Sequence, residues 1–72
     1  MNEFDYRGLK CPIPVIKAFR EIKKNPDEKV YKFKCDDETA PKDFKDLCNN
    51  TGLKLSKVEK KDSYYFILIE RP

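Results

Sequence analysis

Hydrophobic and polar residues alternate with a two-residue period in four stretches of this chain, a pattern typical of β-strands. The stretches are residues 3–7, 30–35, 53–59 and 63–70, and a short polar turn at residues 60–62 separates the last two. Gly8 interrupts the first stretch. In the second stretch Tyr31, Phe33 and Cys35 point to one side, and the lysines between them point to the other. The pattern therefore predicts four strands.

Two further stretches repeat their apolar residues at three- and four-residue spacing, which predicts amphipathic helices. The first helix is expected over residues 12–24, before Asn25-Pro26, and the second over residues 40–50, with Gly52 as its stop signal. The apolar stripe of the first helix consists of Val15, Ile16, Phe19 and Ile22, opposite Lys17, Arg20, Glu21 and Lys24. The stripe of the second consists of Ala40, Phe44, Leu47 and Cys48.

The predicted element order is βαβαββ, which favours an α+β fold. Short, right-handed connections place both helices on one face of the sheet, so we expect a two-layer α/β sandwich with a four-stranded mixed sheet. In the last strand Tyr65, Ile67 and Ile69 would face the helices. Its other side would leave an apolar surface open, and such surfaces often mark contacts; it consists of Tyr64, Phe66 and Leu68.

Length and composition limit the classes of function. A chain of 72 residues is expected to form a single domain over residues 1–72, too small for a deep enclosed cavity. Its 16 basic and 13 acidic residues leave a net charge of +3, which argues against direct nucleic-acid binding. No stretch approaches the ~20 apolar residues of a membrane span. An export signal begins with positive charge followed by an apolar segment, whereas the first residues of this chain include Glu3 and Asp5. We therefore expect a cytoplasmic protein without membrane insertion.

The three cysteines, Cys11, Cys35 and Cys48, stand far apart in a chain that lacks an export signal, so free thiols are expected rather than a disulfide framework. The sequence has no histidine and no Cys-x-x-Cys, so it lacks the usual zinc ligands and cannot use histidine acid–base catalysis. We accordingly expect neither a metal nor a cofactor. Cys35 and Cys48 lie on predicted apolar faces, which favours core packing for both.

Cys11 differs from the other two cysteines because prolines follow it in the segment Gly-Leu-Lys-Cys-Pro-Ile-Pro-Val. Pro12 and Pro14 suit the first turn of a helix and push the preceding residue out of the α region, so Cys11 is expected at the N-cap. The helix dipole contributes about 0.3 to 1 kcal/mol at an exposed terminus, up to about 2, and so predicts a Cys11 pKa lowered by about one unit. The alternative is a buried structural thiol.

An acidic run, Asp36-Asp37-Glu38, follows the second predicted strand. If the first two strands are parallel, their carboxyl ends lie together, which brings this run toward Cys11. Its negative charge would oppose ionisation of the thiol, countered by Arg7, Lys10 and Lys17. The run also predicts the start of the second helix, capped by Asp37 or Thr39. Metal binding there is a minor alternative, because no other ligands cluster nearby.

Ile13 projects opposite the apolar stripe of the first helix, so it is expected to be exposed beside the thiol. Together with Lys10 and Lys17 it could dock a partner protein. The alternative is an exposed apolar residue beside ordinary solvated lysines.

These residues resemble the TusA/SirA-like sulfur carrier family over nearly the whole chain. The Gly-Leu-x-Cys-Pro-x-Pro element is specific to that family, and an acidic pair precedes a helix at the expected distance. The matching positions are Asp5, Gly8, Leu9, Cys11, Pro12, Pro14, Val15, Asp36, Asp37, Ala40, Asp43 and Gly52. Cys35 is not part of the family pattern.

The resemblance implies a two-layer sandwich in which Cys11 carries sulfane sulfur as a persulfide. It implies a sulfur donor, either a cysteine desulfurase or a rhodanese-type protein, and a downstream sulfur-acceptor protein. In the best-known members the sulfur goes toward 2-thiouridine in tRNA; other members resemble helpers of thiosulfate uptake, sulfur oxidation or selenium metabolism. The motif residues expected to support the thiol are Gly8, Leu9, Pro12, Pro14, Asp36 and Asp37.

Two other hypotheses come from the residues themselves. The chain could be a nucleic-acid or regulatory binding module that uses Tyr64 and Phe66 as stacking platforms. It could also be a thiol enzyme that acts on thiosulfate through Cys11 without a protein partner. A sulfur carrier needs only an accessible thiolate that attacks the terminal sulfur of a donor persulfide, and no general base.

Overall fold

The computed structural model describes residues 2–72, and its elements follow the predicted order βαβαββ. The strands are β1 (Asn2–Asp5), β2 (Val30–Cys35), β3 (Lys54–Lys60) and β4 (Tyr65–Glu70), and the helices are α1 (Ile13–Lys24) and α2 (Ala40–Thr51). Gly52 ends α2 with a φ of 76°, the left-handed conformation that glycine adopts without steric cost. Within residues 2–72, neither helix is long and apolar enough to cross a membrane.

The strand order in the sheet is β1-β2-β4-β3, with β1 parallel to β2 and the other neighbours antiparallel. Both helices cover one face, so the predicted two-layer sandwich with a four-stranded mixed sheet is confirmed. Because β1 and β2 are parallel, the loops that follow them start from the same edge of the sheet.

The core lies between the sheet and the helices, and Phe33 stands at its centre. Alternate residues of β2 are buried, as their period predicts. The Phe33 ring has its centroid 5.4 Å from that of Phe4, 5.8 Å from that of Tyr6 and 5.3 Å from that of Phe44. Aromatic contacts therefore join β1, β2 and α2 in one cluster.

The face that α1 buries differs from the predicted stripe. Its buried residues are Pro14, Ala18 and Ile22, whereas Ile16 is 47% exposed. The small side chain of Ala18 lets the helix backbone approach the sheet, and the bulkier Val15 and Phe19 are displaced to the flank. The prediction was wrong for Ile16 because spacing selects large apolar residues, while close packing also selects small ones.

Strand β1 is shorter than the predicted residues 3–7 because the chain turns after Asp5. The Arg7 N–H and guanidinium donate hydrogen bonds back to the Asp5 carboxylate, at 2.6 to 3.1 Å. They hold the pKa of Asp5 at about 2. The Tyr6 N–H still donates to the Lys34 carbonyl at 2.8 Å, so the parallel pairing continues to the end of β2.

The open face of the sheet is less bare than its sequence predicts. Ile67 and Ile69 are buried under the helices, as expected, while Tyr64 and Phe66 on the other side are half-buried. Cationic side chains lie over both rings: Arg7 and Lys34 over Tyr64, and Lys32 over Phe66, at 5.3 to 6.0 Å from the ring centroids. Both rings therefore have cation–π partners on the open face.

Candidate functional site

The thiol of Cys11 lies where two loops meet, one leading from β1 to α1 and the other from β2 to α2. The Gly8 N–H donates to the Asp36 carboxylate at 2.9 Å, and the Cys11 N–H donates to the Asp37 carboxylate at 3.2 Å. Gly8 has a φ of 89°, which suits only glycine at this turn. The predicted approach of the acidic run to Cys11 is confirmed.

Asp37 also organises the start of α2. Its Oδ1 accepts hydrogen bonds from the Thr39 N–H at 2.9 Å and from the Thr39 hydroxyl at 2.7 Å. Hydrogen bonds from Thr39 and from the Cys11 N–H lower the pKa of Asp37, so its carboxylate is ionised at neutral pH. Thr39 occupies the N-cap position without a capping bond from its own side chain. One carboxylate therefore orders both loops.

Helix α1 begins one residue later than expected. Its N-cap is Pro12, whose carbonyl accepts the first helical bond from the Ile16 N–H at 3.0 Å, while Pro14 occupies the first turn. Cys11 therefore precedes the cap, and its N–H is engaged by Asp37. The expectation that Cys11 is the N-cap residue was wrong because Pro12 adopts φ −93° and ψ 12°, outside the helix. The thiol stands further from the helix dipole than predicted.

The pKa of the Cys11 thiol is raised, not lowered. Burial is the main cause, the Thr39 hydroxyl opposes it, and a hydrogen bond to the Asp43 carboxylate and the negative charge of Asp37 add to it. The predicted thiolate-stabilising effect of the helix was wrong in sign. Dipole effects fall off within one turn, whereas burial and two carboxylates act on the sulfur directly.

Burial separates the three cysteines. Cys11 is half-buried against the edge of the core, and Cys35 and Cys48 are fully enclosed, as predicted for core residues. Burial raises the pKa of Cys35 to about 12 and that of Cys48 to about 11. Cys11 is therefore the only one of the three thiols that solvent reaches.

The residues expected to dock a partner are all on the surface, but Lys17 lines a depression on the β1 side of α1, together with Phe4 and Tyr6. Ile13 is 45% exposed, and Lys10 and Lys17 are exposed. Lys10 contributes to lowering the pKa of Asp37, so its charge lies near the acidic loop as predicted. Arg7 is instead engaged by Asp5, at 2.6 Å between Nη2 and Oδ2.

The remaining motif residues shape the loop. Leu9 packs against the core, Pro14 is fully buried in the first turn of α1, and Pro12 stays exposed next to Cys11. Among residues 2–72, no three His, Cys, Asp or Glu side chains stand together as a metal-binding group.

Sequence reasoning missed Thr39 and Asp43 as neighbours of the sulfur. Thr39 is the N-cap of α2 and Asp43 lies in its first turn, and the Asp43 N–H donates to the Thr39 carbonyl at 3.0 Å. Their four-residue spacing placed them on one side of the helix, but only the tertiary fold shows that this side faces Cys11.

An apolar groove also runs between the two helices and begins beside the thiol. Its walls include Pro12, Ile16 and Phe19 from the α1 side and Asp43 and Leu47 from α2, and its volume is about 550 Å³. It is an open surface depression and not an enclosed cavity.

Comparisons with known proteins agree with this geometry. The family described as sulfurtransferase TusA matches residues 2–71. A protein of Neisseria meningitidis named as a candidate sulfur carrier is 29% identical over 66 residues, covering 92% of this chain and 89% of that protein. A candidate sulfur carrier of Archaeoglobus fulgidus is 27% identical over 67 residues, covering 93% and 92%. The crystal structure of a SirA-like protein from Desulfitobacterium hafniense has the same fold, with a TM-score of 0.85 at 22% identity over 97% of this chain and 96% of that one.

Proposed function

This chain belongs to the TusA family, and we propose that it is a sulfur carrier whose Cys11 holds sulfane sulfur as a persulfide. The family match and the names of the relatives support the carrier role. The single observation that supports Cys11 as the carrying residue is its place at the junction of two loops, half-exposed and anchored by its own backbone N–H on Asp37.

The transfer follows from this geometry. The Cys11 sulfur attacks the terminal sulfur of a persulfide on a donor protein, a new S–S bond forms, and the donor cysteine leaves as a thiolate. The thiol gives up its proton to solvent before the attack, so the step needs no general base. Because the pKa of Cys11 is raised in the free protein, only a small fraction of the thiol is ionised at neutral pH, and a donor that lowers this pKa on contact would speed the transfer.

The proposed donor is a cysteine desulfurase or a rhodanese-type protein, and the proposed acceptor is a second protein, one candidate route being 2-thiouridine synthesis in tRNA. Lys10 and Ile13, one and two residues from Cys11, and Lys17 on α1 are exposed, which fits protein docking. The open groove beside Cys11 fits a protein surface better than it fits a small substrate such as thiosulfate, which supports a carrier over a free-standing thiol enzyme.

The test is intact-mass analysis after incubation with a cysteine desulfurase and cysteine. We expect one added sulfur on the native chain and none on Cys11→Ser. Cys48→Ala is the matched control, since it removes a buried thiol on α2 and should load normally. Sulfur found on Cys35 or Cys48 in place of Cys11 would contradict the assignment. Adding a tRNA-thiolating system then tests the proposed acceptor route separately.

A further inference from the structure

Cys35 is the buried thiol that directly precedes the residues binding the carrier loop. It ends β2, directly before Asp36 and Asp37, whose carboxylates bind the loop that carries Cys11. Cys11 packs against the core cluster that contains both Cys35 and Cys48, but only the segment of Cys35 is bonded directly to the Cys11 loop, through the Gly8 and Cys11 N–H groups at 2.9 and 3.2 Å. Burial is the main cause of the raised pKa of Cys35, and a charge on Cys11 adds to it.

Cys48 offers an internal comparison. It is buried to almost the same degree, 2% exposed against 0% for Cys35. Burial raises its pKa as well. Cys48 lies within α2, whereas Cys35 stands two residues before the Asp37 that binds the Cys11 N–H.

We propose that Cys35 is a resolving thiol that removes undelivered sulfur from Cys11. This inference rests on the proposed persulfide at Cys11. In the step, the Cys35 thiolate attacks the Cys11 sulfur, the Cys11–Cys35 disulfide forms, and the bond to the outer sulfur breaks. That sulfur leaves as hydrosulfide with both electrons of the broken bond, and the Cys35 proton goes to solvent. The sulfane sulfur is reduced to sulfide as the two cysteine sulfurs are oxidised to the disulfide.

This step needs no external oxidant, because the persulfide itself is the oxidant. A low-molecular-weight dithiol afterwards returns the disulfide to two thiols. Cys35 is enclosed, so attack requires a local opening of the loop, and transfer to a waiting protein acceptor comes first. Cys35 thus acts only on a Cys11 persulfide that has no acceptor protein. Through this step the chain slowly reduces the sulfur that it carries to sulfide.

The test loads the chain with inorganic polysulfide, removes the excess and follows the mass of the intact protein without any acceptor. We expect the native chain to lose the added sulfur and to end two hydrogen atoms lighter than its reduced form, with sulfide released in equal amount. Peptide mapping should place the disulfide between Cys11 and Cys35. Cys35→Ala should keep its persulfide about tenfold longer or more. In this variant only a thiol of another molecule can attack the persulfide, and in dilute solution such a thiol has a far lower effective concentration than one on the same chain.

Cys48→Ala is the control, since it also removes a buried thiol and should decay like the native chain. Equal persulfide lifetimes in Cys35→Ala and Cys48→Ala would overturn the inference and leave the carrier function standing. Failure of any sulfur to add to Cys11 would instead overturn the carrier function as well. If Cys35→Ala does not fold, the disulfide map of the native chain decides: a link from Cys11 to Cys48, or only links between chains, overturns the proposal.

Discussion

The backbone N–H of Cys11 donates a hydrogen bond to the Asp37 carboxylate, with 3.2 Å between the nitrogen and Oδ2. The other oxygen of the same carboxylate accepts from Thr39 at the start of α2. The hydrogen bonds that attach the thiol-bearing loop to Asp36 and Asp37 thus come from its main chain, while Leu9 and Cys11 pack against the core.

Replacing Asp37 by alanine removes this shared acceptor. We expect the amides of Cys11 and Thr39 to exchange with solvent faster than in the native chain, because both lose their hydrogen-bond acceptor. Hydrogen–deuterium exchange followed by NMR measures this effect residue by residue. Asp46→Ala is the matched control, an exposed carboxylate on α2 that takes no part in these bonds. Unchanged exchange at Cys11 in Asp37→Ala would show that the bond does not order the loop.

Asp43 and Thr39 act on the thiol with opposite signs. Asp43→Asn removes a charge and a strong acceptor that raise the pKa of Cys11, so alkylation of Cys11 by iodoacetamide at neutral pH should become faster. Thr39→Val removes the hydroxyl that lowers the pKa, so alkylation should become slower. Intact-mass analysis at several pH values measures the alkylation rate and, from it, the pKa of Cys11 in each variant. The control Asp46→Asn should leave this rate unchanged. Two variants that shift the rate in the same direction would contradict this account.

Stability should fall in alkaline solution because two enclosed thiols resist ionisation. Folding raises the pKa of Cys35 to about 12 and that of Cys48 to about 11, so both stabilise the fold fully below the ordinary thiol pKa. Above it the unfolded chain loses protons that the folded chain keeps. Each thiol then lowers the free energy of unfolding by up to about 1.4 kcal/mol per pH unit. Urea titrations from about pH 8 to about pH 10 measure the slope. The slope should be shallower in Cys48→Ala than in the native chain. An equal slope in the two proteins would contradict the raised pKa of Cys48.

Phe33→Ala should be the most damaging single change in the core. Phe33 is fully buried and stacks on rings from β1 and α2, and deleting such a side chain costs about 3 to 5 kcal/mol. That is a large part of the stability of a small domain, so the urea midpoint should drop sharply. Ile16→Ala, at 47% exposure, should change the free energy of unfolding by no more than about 0.5 kcal/mol. Similar losses in both variants would show that the core is placed wrongly.

Docking at the thiol is tested by adding a charge to its exposed apolar neighbour. Ile13→Glu should slow sulfur loading from a desulfurase severalfold, because a charge now faces the docking surface, and should leave loading from inorganic polysulfide unchanged. Val58→Glu is the matched control, an exposed valine on β3, 40% exposed against 45% for Ile13. A loss of loading from both sulfur sources would point to damage at the thiol itself.

Residue patterns predicted the architecture well and the details of packing less well. The alternation in residues 30–35 predicted strand β2 and its buried residues correctly, because a two-residue period leaves little freedom in a sheet. The buried face of a helix is harder to predict from its residues. Helix α1 buries Ala18 and exposes Ile16, because close packing favours small residues, whereas hydrophobic spacing selects large ones.

At the site, the motif located Cys11 and the parallel strands brought the acidic run to it. The environment of the sulfur was not predictable in the same way. Asp43 and Thr39 reach it from α2, 28 or more residues away along the chain, and they and burial determine the sign of the pKa shift. The helix dipole acts only locally, so its effect on the pKa of Cys11 includes none of these contributions.

The attachment of Cys11 through its main-chain N–H has a consequence for how the neighbouring positions can change in evolution. Lys10 and Ile13 flank Cys11 yet have no side-chain bond to the anchoring carboxylates. Duplicated copies of such a gene could therefore vary those two positions freely and acquire new recognition preferences while the chemistry stays intact. A fold of this kind is well suited to serve several unrelated routes with one unchanged attachment point.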